Sequence, residues 1–169
     1  MQNEIYKKIV GYENYSVSSR GNVRNDNSGK MLKPRDDGRG YCIFALRNNN
    51  KSKNHRSHRL VAFAFIVNPE NKPQVDHIDN NRQNNHVDNL RWVTNSENQQ
   101  NGSKRSTNTS GTKGVCWDES KKKWLATIMI NKKHINLGCF TNKQDAISCR
   151  LIRAKNEFGV YINKCEQVV

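Results

Sequence analysis

The first fifty residues set short apolar runs between turn residues. Tyr15-Ser16-Val17, Val23-Arg24, Met31-Leu32 and Tyr41–Leu46 alternate with Arg20-Gly21-Asn22 and Asn27-Ser28-Gly29-Lys30. Runs this short, punctuated by Gly and Asn, predict a small antiparallel sheet. From Asn48 to Ser57 no apolar residue occurs, which predicts a loop. The period then changes: Leu60, Val61, Ala64 and Phe65 fall at helical spacing behind Ser57, a suitable N-cap. That helix should end before Asn68-Pro69, because the residue ahead of a proline is pushed out of the helical region.

Farther on, Gln74–His77 and Leu90–Val93 read as two short strands that can pair around an asparagine-rich loop, Ile78–Asn89. Thr94-Asn95-Ser96-Glu97 fits a capping box and opens a short helix with Asn98 in its first turn. Asn101–Thr112 contains no apolar residue and predicts a linker. Three strand-like segments follow, Gly114–Trp117, Trp124–Ile130 and Ile135–Phe140, with a hairpin turn at Asn131-Lys132. In the middle one, Ala126, Ile128 and Ile130 share one face while Leu125, Thr127 and Met129 share the other. A second capping box, Thr141-Asn142-Lys143-Gln144, opens a helix that runs to about Phe158 and stops at Gly159. The expected class is α+β: an N-terminal antiparallel sheet, a strand–loop–strand–helix centre, and a C-terminal three-stranded sheet covered by one helix.

Composition changes this picture in three ways. With 34% hydrophobic residues and a mean hydropathy of -0.97, several small modules are expected rather than one large core. A net charge of +14 is the footprint of a polyanion binder, and it is spread along the chain. Residues 1–100 hold 16 basic and 10 acidic residues (net +6), and residues 101–169 hold 13 and 5 (net +8). The five cysteines, Cys42, Cys116, Cys139, Cys149 and Cys165, form no C-x-x-C pair and fall in segments that read as buried strand or helix. They predict a reduced intracellular protein with neither disulfides nor a cysteine zinc site. No signal-like N-terminus and no apolar run of about 20 residues is seen, which sets membrane roles aside.

The candidate chemistry lies between Val75 and Asn98. If the hairpin packs on the following helix, Asp76 and Asn98 can both offer oxygen to one cation. Such a set suits Mg²⁺ or another hard divalent ion such as Mn²⁺. His77, on the opposite face of the strand, has an imidazole able to take a proton from water at neutral pH. Each residue alone is more often an ordinary surface group. The combination of D-H at a strand end, N-L-R-W-V-T as a returning strand and E-N in a capped helix is what raises the reading.

That stretch resembles the HNH nuclease motif in its ββα-metal form, as found in phage-type homing endonucleases of mobile elements. The resemblance implies that Asp76 and Asn98 bind the catalytic metal and that His77 is the general base. It gives Asn89 the role of steadying the hairpin and orienting the histidine loop. The final family position here is asparagine instead of histidine. Upstream, H-R-L-V-A-F-A-F and N-P resemble the same branch, and I-V-G-Y-E-N-Y-S-V-S-S-R-G-N-V-R resembles a module that precedes such cores. K-G-V-C-W, K-K-W-L-A-T-I and I-N-L-G-C-F with the following helix are similar to the Apetala-two (ethylene-response-factor) DNA-binding domain.

The implied organisation is an N-terminal β module (1–50), a nuclease core (51–101), a linker (102–112), an Apetala-two-like domain (113–160) and a tail (161–169). The implied activity is metal-dependent hydrolysis of duplex DNA to 5′-phosphate and 3′-hydroxyl ends, nicking one strand as a monomer. Candidate DNA contacts are Arg59, Arg82, Arg91, Lys113, Lys121, Lys122, Lys123, Thr127, Lys132, Lys133, His134 and Asn136, with His58 lining the catalytic cleft. Leu125 and Met129 share the reading face but are apolar, so core or partner packing competes there. Two other classes fit the charge: a DNA-binding regulator on a decayed nuclease fold, and an RNA-binding module. Intact Asp76, His77, Asn89 and Asn98 weigh against the first, and the absence of aromatic-rich RNA-binding strand signatures weighs against the second.

Overall fold

The computed structural model describes residues 3–102, 104, 106–163 and 166. They form two compact units, residues 1–94 and 95–169. In the first, β1 (Tyr6–Ile9), β2 (Tyr12–Ser18) and β3 (Val23–Asn25) make one antiparallel sheet. A second is made by β4 (Arg35–Asp36), β5 (Cys42–Asn48) and β6 (Lys51–Arg56). Helix α1 (Ser57–Phe65) follows, and β7 (Gln74–His77) pairs with β8 (Leu90–Val93) in a two-stranded antiparallel ladder.

The segment expected as a loop at 48–57 is the turn and returning strand of a hairpin. Asn49 and Asn50 take φ of 48° and 61°, the left-handed geometry of a tight hairpin turn. β6 carries no apolar side chain because it is an edge strand exposed over most of its length. The expected boundary at residue 50 therefore falls inside this hairpin. One core also runs through both expected modules: Ile9, Val17 and Val23 pack with Phe44, Leu46, Leu60, Val61 and Leu90. Neither sheet has enough apolar surface alone, and α1 closes over both. Burial of each large side chain there is worth roughly 1.5–3 kcal/mol.

Ser57 is the first helical residue rather than the cap. Arg56 holds the cap position without a side-chain bond, and Ser57 Oγ donates to Gly21 O at 2.7 Å. This contact ties the turn after β2 to α1. Ser19 O accepts from Val87 N at 2.8 Å, so the N-terminal sheet buttresses the loop between β7 and β8.

The second unit holds α2 (Asn95–Asn101), then β9 (Val115–Asp118), β10 (Lys123–Ile130) and β11 (Lys133–Phe140) in the order β11-β10-β9. Helix α3 (Lys143–Phe158) covers one face of this sheet. Alternation along β10 works as expected, with Ala126 and Ile128 buried and Met129 exposed. Asn131 and Lys132 both have positive φ in the β10–β11 turn. The cap of α3 is Asn142, one residue later than the expected Thr141, with Oδ1 accepting from Gln144 N at 2.8 Å.

Among the described cysteines, Cys42, Cys139 and Cys149 are half-buried and Cys116 is exposed, and all four are free thiols. Their expected burial is thus overturned, because Cys116 faces away from the covered side of β9. Cys165 and most of the expected tail lie outside the described residues. No helix of the described chain is long and apolar enough to cross a membrane.

Gly21 gives a direct test of the buttress. Its φ is +87°, and a Cβ there would lie 2.6 Å from Asn85 Cβ and 2.7 Å from Ser57 Oγ. Gly21→Ala should destabilise the protein by about 2 kcal/mol, read as a lower urea midpoint with an unchanged m-value.

Candidate active site

The β7–β8 register sets Asp76 opposite Arg91 and His77 opposite Leu90. Asp76 and His77 are 6% and 5% exposed, so two polar side chains are held inside at the end of a four-residue strand. Buried polar groups need partners, and the hairpin supplies them. Arg91 Nε donates to Asp76 Oδ2 at 3.0 Å, and Arg91 Nη2 lies 2.9 Å from the same oxygen. Arg91, expected at the DNA backbone, thus orients the carboxylate.

His77 Nε2 sits 3.1 Å from Asn85 Oδ1. The Asn85 amide is oriented by its own nitrogen, which donates to Gln83 O at 3.2 Å. With the amide oxygen facing the ring, this contact favours the tautomer that is protonated at Nε2. Asn85 is not singled out by the sequence, which offers Asn80, Asn81, Asn84, Asn85 and Asn89 in one loop with nothing local to rank them.

Asn89 holds the loop shut. Its Nδ2 donates to Asp79 Oδ1 and Asn84 O, both at 2.8 Å, and its Oδ1 accepts from Asp79 N at 3.1 Å. Asp79 Oδ2 also accepts from Asn84 Nδ2 at 2.7 Å. Desolvation raises the Asp79 pKa, but these bonds outweigh it and hold the carboxyl below its usual range. Asn89 therefore acts on the backbone that carries His77.

An aromatic wall backs the imidazole. The His58 ring stands edge-on to His77 with centroids 4.9 Å apart, and Tyr41 lies 5.1 Å from His58 and 6.2 Å from His77. Arg56 and Arg82 stack on Tyr41 at 4.4 and 4.8 Å, and Arg56 is also bound by Asp37. Tyr41 and Arg56 were not among the expected site residues, since their separation from His77 in sequence hides the contact. His58 is 4% exposed, and its Nδ1 has no hydrogen-bond partner among the described residues. Burial is the main reason that its pKa falls to about 3. Burial also lowers the pKa of His77, against the opposing pull of Asn85 and Asp76.

The other expected residues sit as follows. Asn98 lies on α2, in the second unit. Arg59 donates to Pro73 O at 3.3 Å and stacks near Phe63 and Trp92, while Arg82 donates to Arg39 O at 2.6 Å. Lys123, Lys132, Lys133, His134 and Asn136 are exposed on or beside the β10–β11 hairpin. Lys121 and Lys122 pair with Asp118 and Glu119 in the preceding turn. Thr127 is half-buried, and its Oγ1 donates to Gly114 O at 3.3 Å. Lys113 differs from the rest: its amine is committed to Gln100 O, Gly102 O and Glu166 within the second unit. Among the described residues no three of His, Cys, Asp and Glu come together as a group that could hold a metal ion.

The neutral histidines have a measurable consequence. A His whose folded pKa lies below its unfolded value of about 6.5 stabilises the fold fully above that pH. As pH falls below it, the unfolded chain binds protons that the folded one cannot, and stability drops towards the folded pKa of about 3 for His58. Urea midpoints should therefore decline between about pH 6.5 and 4.5, before most carboxylates titrate. His58→Gln should flatten that slope.

Comparison with known proteins follows this geometry. Residues 4–47 match the NUMOD4 motif, and residues 55–100 match the HNH endonuclease family. The DNA endonuclease I-HmuI of Bacillus phage SP01 is 43% identical over 103 residues, covering 60% of this chain and 59% of that protein. An uncharacterized HNH endonuclease of Acanthamoeba polyphaga mimivirus is 42% identical over 85 residues, 50% of this chain and 26% of the relative. The chain thus spans between about a quarter and three fifths of these relatives. A solved structure titled "DNA binding and cleavage by the HNH homing endonuclease I-HmuI" superposes with a TM-score of 0.55 at 43% identity. It covers 57% of this chain and 56% of that one. The hairpin that carries Asp76, His77 and Asn89 therefore lies within the segment, residues 55–100, that matches the HNH endonuclease family.

Proposed function

We propose that the chain is a divalent-metal-dependent DNA endonuclease of the homing type that nicks one strand of duplex DNA. The observation that carries this reading is His77, held with Nε2 3.1 Å from the oriented amide oxygen of Asn85 and next to Asp76 in the strand sequence. Asp76 is the carboxylate ligand for Mg²⁺ or Mn²⁺, and the motif assigns a second oxygen ligand to Asn98. A bound divalent cation supplies charge neutralisation at the phosphate and at the departing oxygen.

The chain's own groups do the rest. His77 Nδ1 takes a proton from a water, and the water oxygen bonds to phosphorus as the bond to the 3′ oxygen breaks. The 3′ oxygen gains a proton from solvent, which leaves 5′-phosphate and 3′-hydroxyl ends. Burial keeps His77 neutral at pH 7 and so ready as a base, and Asn85 stabilises the imidazolium once it forms. Arg91 holds the Asp76 carboxylate, while Asn89 holds the loop.

Specificity comes from outside this site. The three-stranded antiparallel sheet with one covering helix has the element order of an Apetala-two-like reader, and its exposed face presents Thr127, His134 and Asn136. A sheet face of this size can enter the major groove. The exposed Lys123, Lys132 and Lys133 contact phosphates, and one catalytic histidine per chain fits a monomer that nicks.

Two measurements test this. Supercoiled plasmid with protein and Mg²⁺ should become open-circular, EDTA should stop the reaction, and His77→Ala should slow it by about 10²–10⁴-fold. Cleavage by His77→Ala at the parent rate would defeat the mechanism. For the tautomer, ¹⁵N spectra of the imidazoles should give His77 as a single Nε2–H form in the parent and a mixture in Asn85→Ala; a mixture in both would remove Asn85 from the mechanism.

A further inference from the structure

Helix α2 is seven residues long and reads Asn-Ser-Glu-Asn-Gln-Gln-Asn, without one apolar side chain. A helix so short is unstable alone in water, and this one has no hydrophobic stripe to bury. Its C-terminal end is nevertheless inside the second unit, where Asn101 is 1% exposed. Polar contacts hold it there.

Every helix leaves its last carbonyls without intrahelical donors. Here Lys113, two residues before β9, donates from Nζ to Gln100 O and to Gly102 O, both at 2.8 Å. Asn163 Nδ2 donates to Asn101 O. A cation at this end also complements the negative pole of the helix. The Lys113 ammonium in turn faces Glu166 at 3.3 Å, and the other oxygen of Glu166 meets Arg150 of α3 at 3.0 Å. Both side chains of the Glu166–Arg150 pair are buried. Removing one member of such a buried pair leaves a charge uncompensated. Gly114 lets the strand approach closely: a Cβ on it would lie 2.2 Å from Thr127 O and 2.8 Å from Arg150 Nε.

We infer that Lys113, Asn163 and Glu166 form a latch that fixes α2 to the C-terminal sheet module and thereby positions Asn98. The inference rests on the reading of Asn98 as a metal ligand. Lys113, Asn163 and Glu166 are positioning residues, acting through the helix that carries Asn98. The region expected as a free linker at 102–112 is then bridged by contacts from both of its flanks, so α2 moves with the module proposed to hold DNA. Loss of the latch should weaken metal use even though the hairpin with Asp76 and His77 is untouched.

Hydrogen exchange on the full chain reads the latch without cleavage. In Lys113→Met the amides of residues 99–102 should exchange about tenfold faster while those of β10 keep their protection, and Lys113→Arg should restore the parent rate. The Mg²⁺ concentration for half-maximal plasmid nicking should rise about tenfold in parallel. Unchanged exchange at 99–102 would overturn the latch, and faster exchange with an unchanged Mg²⁺ requirement would overturn its positioning role. If Lys113→Met loses protection in β10 as well, Asn163→Ala, which removes the donor to Asn101 O, decides. Faster exchange confined to 99–102 then supports the latch, whereas no change, or a loss shared with β10, refutes it. Faster exchange in a protein whose parent never cuts plasmid would keep the latch and reject the nuclease reading instead.

Discussion

The register of one short hairpin is the constraint on which the site depends. Side chains alternate along a strand, so a slip of one residue between β7 and β8 would exchange the faces of Asp76 and His77. Four residues per strand supply too few ladder bonds to forbid that slip alone. The pairing of Asp76 with Arg91 fixes it from one side, because only this register brings the guanidinium to the carboxylate. Asn89 fixes it from the other by closing the loop on Asp79 and Asn84. The hairpin is thus held by side-chain polarity where backbone pairing is short.

Holding two histidines inside this structure has a cost, and the surroundings show how it is offset. Neither ring can be charged without losing solvation, so both are kept neutral and packed as aromatics against Tyr41. His58 contributes a flat surface, while His77 keeps one nitrogen engaged with Asn85 and so retains a defined polarity. The N-terminal sheet takes part, since the turn at Gly21 lies directly against Asn85 and admits no side chain. The N-terminal sheet is therefore part of the wall behind His77, and it shares one core with the helix and hairpin that follow it.

Local signals were legible where the chemistry is local. The strands at 74–77 and 90–93, the loop between them and the helix that bears Asn98 follow from hydrophobic alternation and capping residues, as do the three C-terminal strands and α3. Strand β6 was not legible, because an exposed edge strand need bury nothing and its Lys, Ser and Asn residues carry a loop's composition. In the site, Asp76, His77 and Asn89 stand out by motif, whereas Asn85 does not. Its importance comes from which way an amide faces, and that is set by Gln83 and by the ring it meets. Tyr41 and Arg56 reach the site through tertiary packing alone, which no spacing rule encodes, whereas His58 was expected at the cleft.

Charge shows the same limit from another side. A net +14 describes the long-range field that a polyanion meets, but it does not say which cations are available for contact. Arg91 is bound to Asp76, Arg56 to Asp37, Arg150 and Lys113 to Glu166, and Lys8 and Arg24 to Asp26, whose carboxyl is held at about 2, first by the Ser16 hydroxyl and then by those cations. These six shape the fold and contribute little to a phosphate contact. Lys123, Lys132 and Lys133 lie exposed on the β10–β11 hairpin instead. Few ordered contacts of this kind lower the number of counterions released on binding, so the salt dependence of DNA affinity should be shallower than the count of basic residues implies.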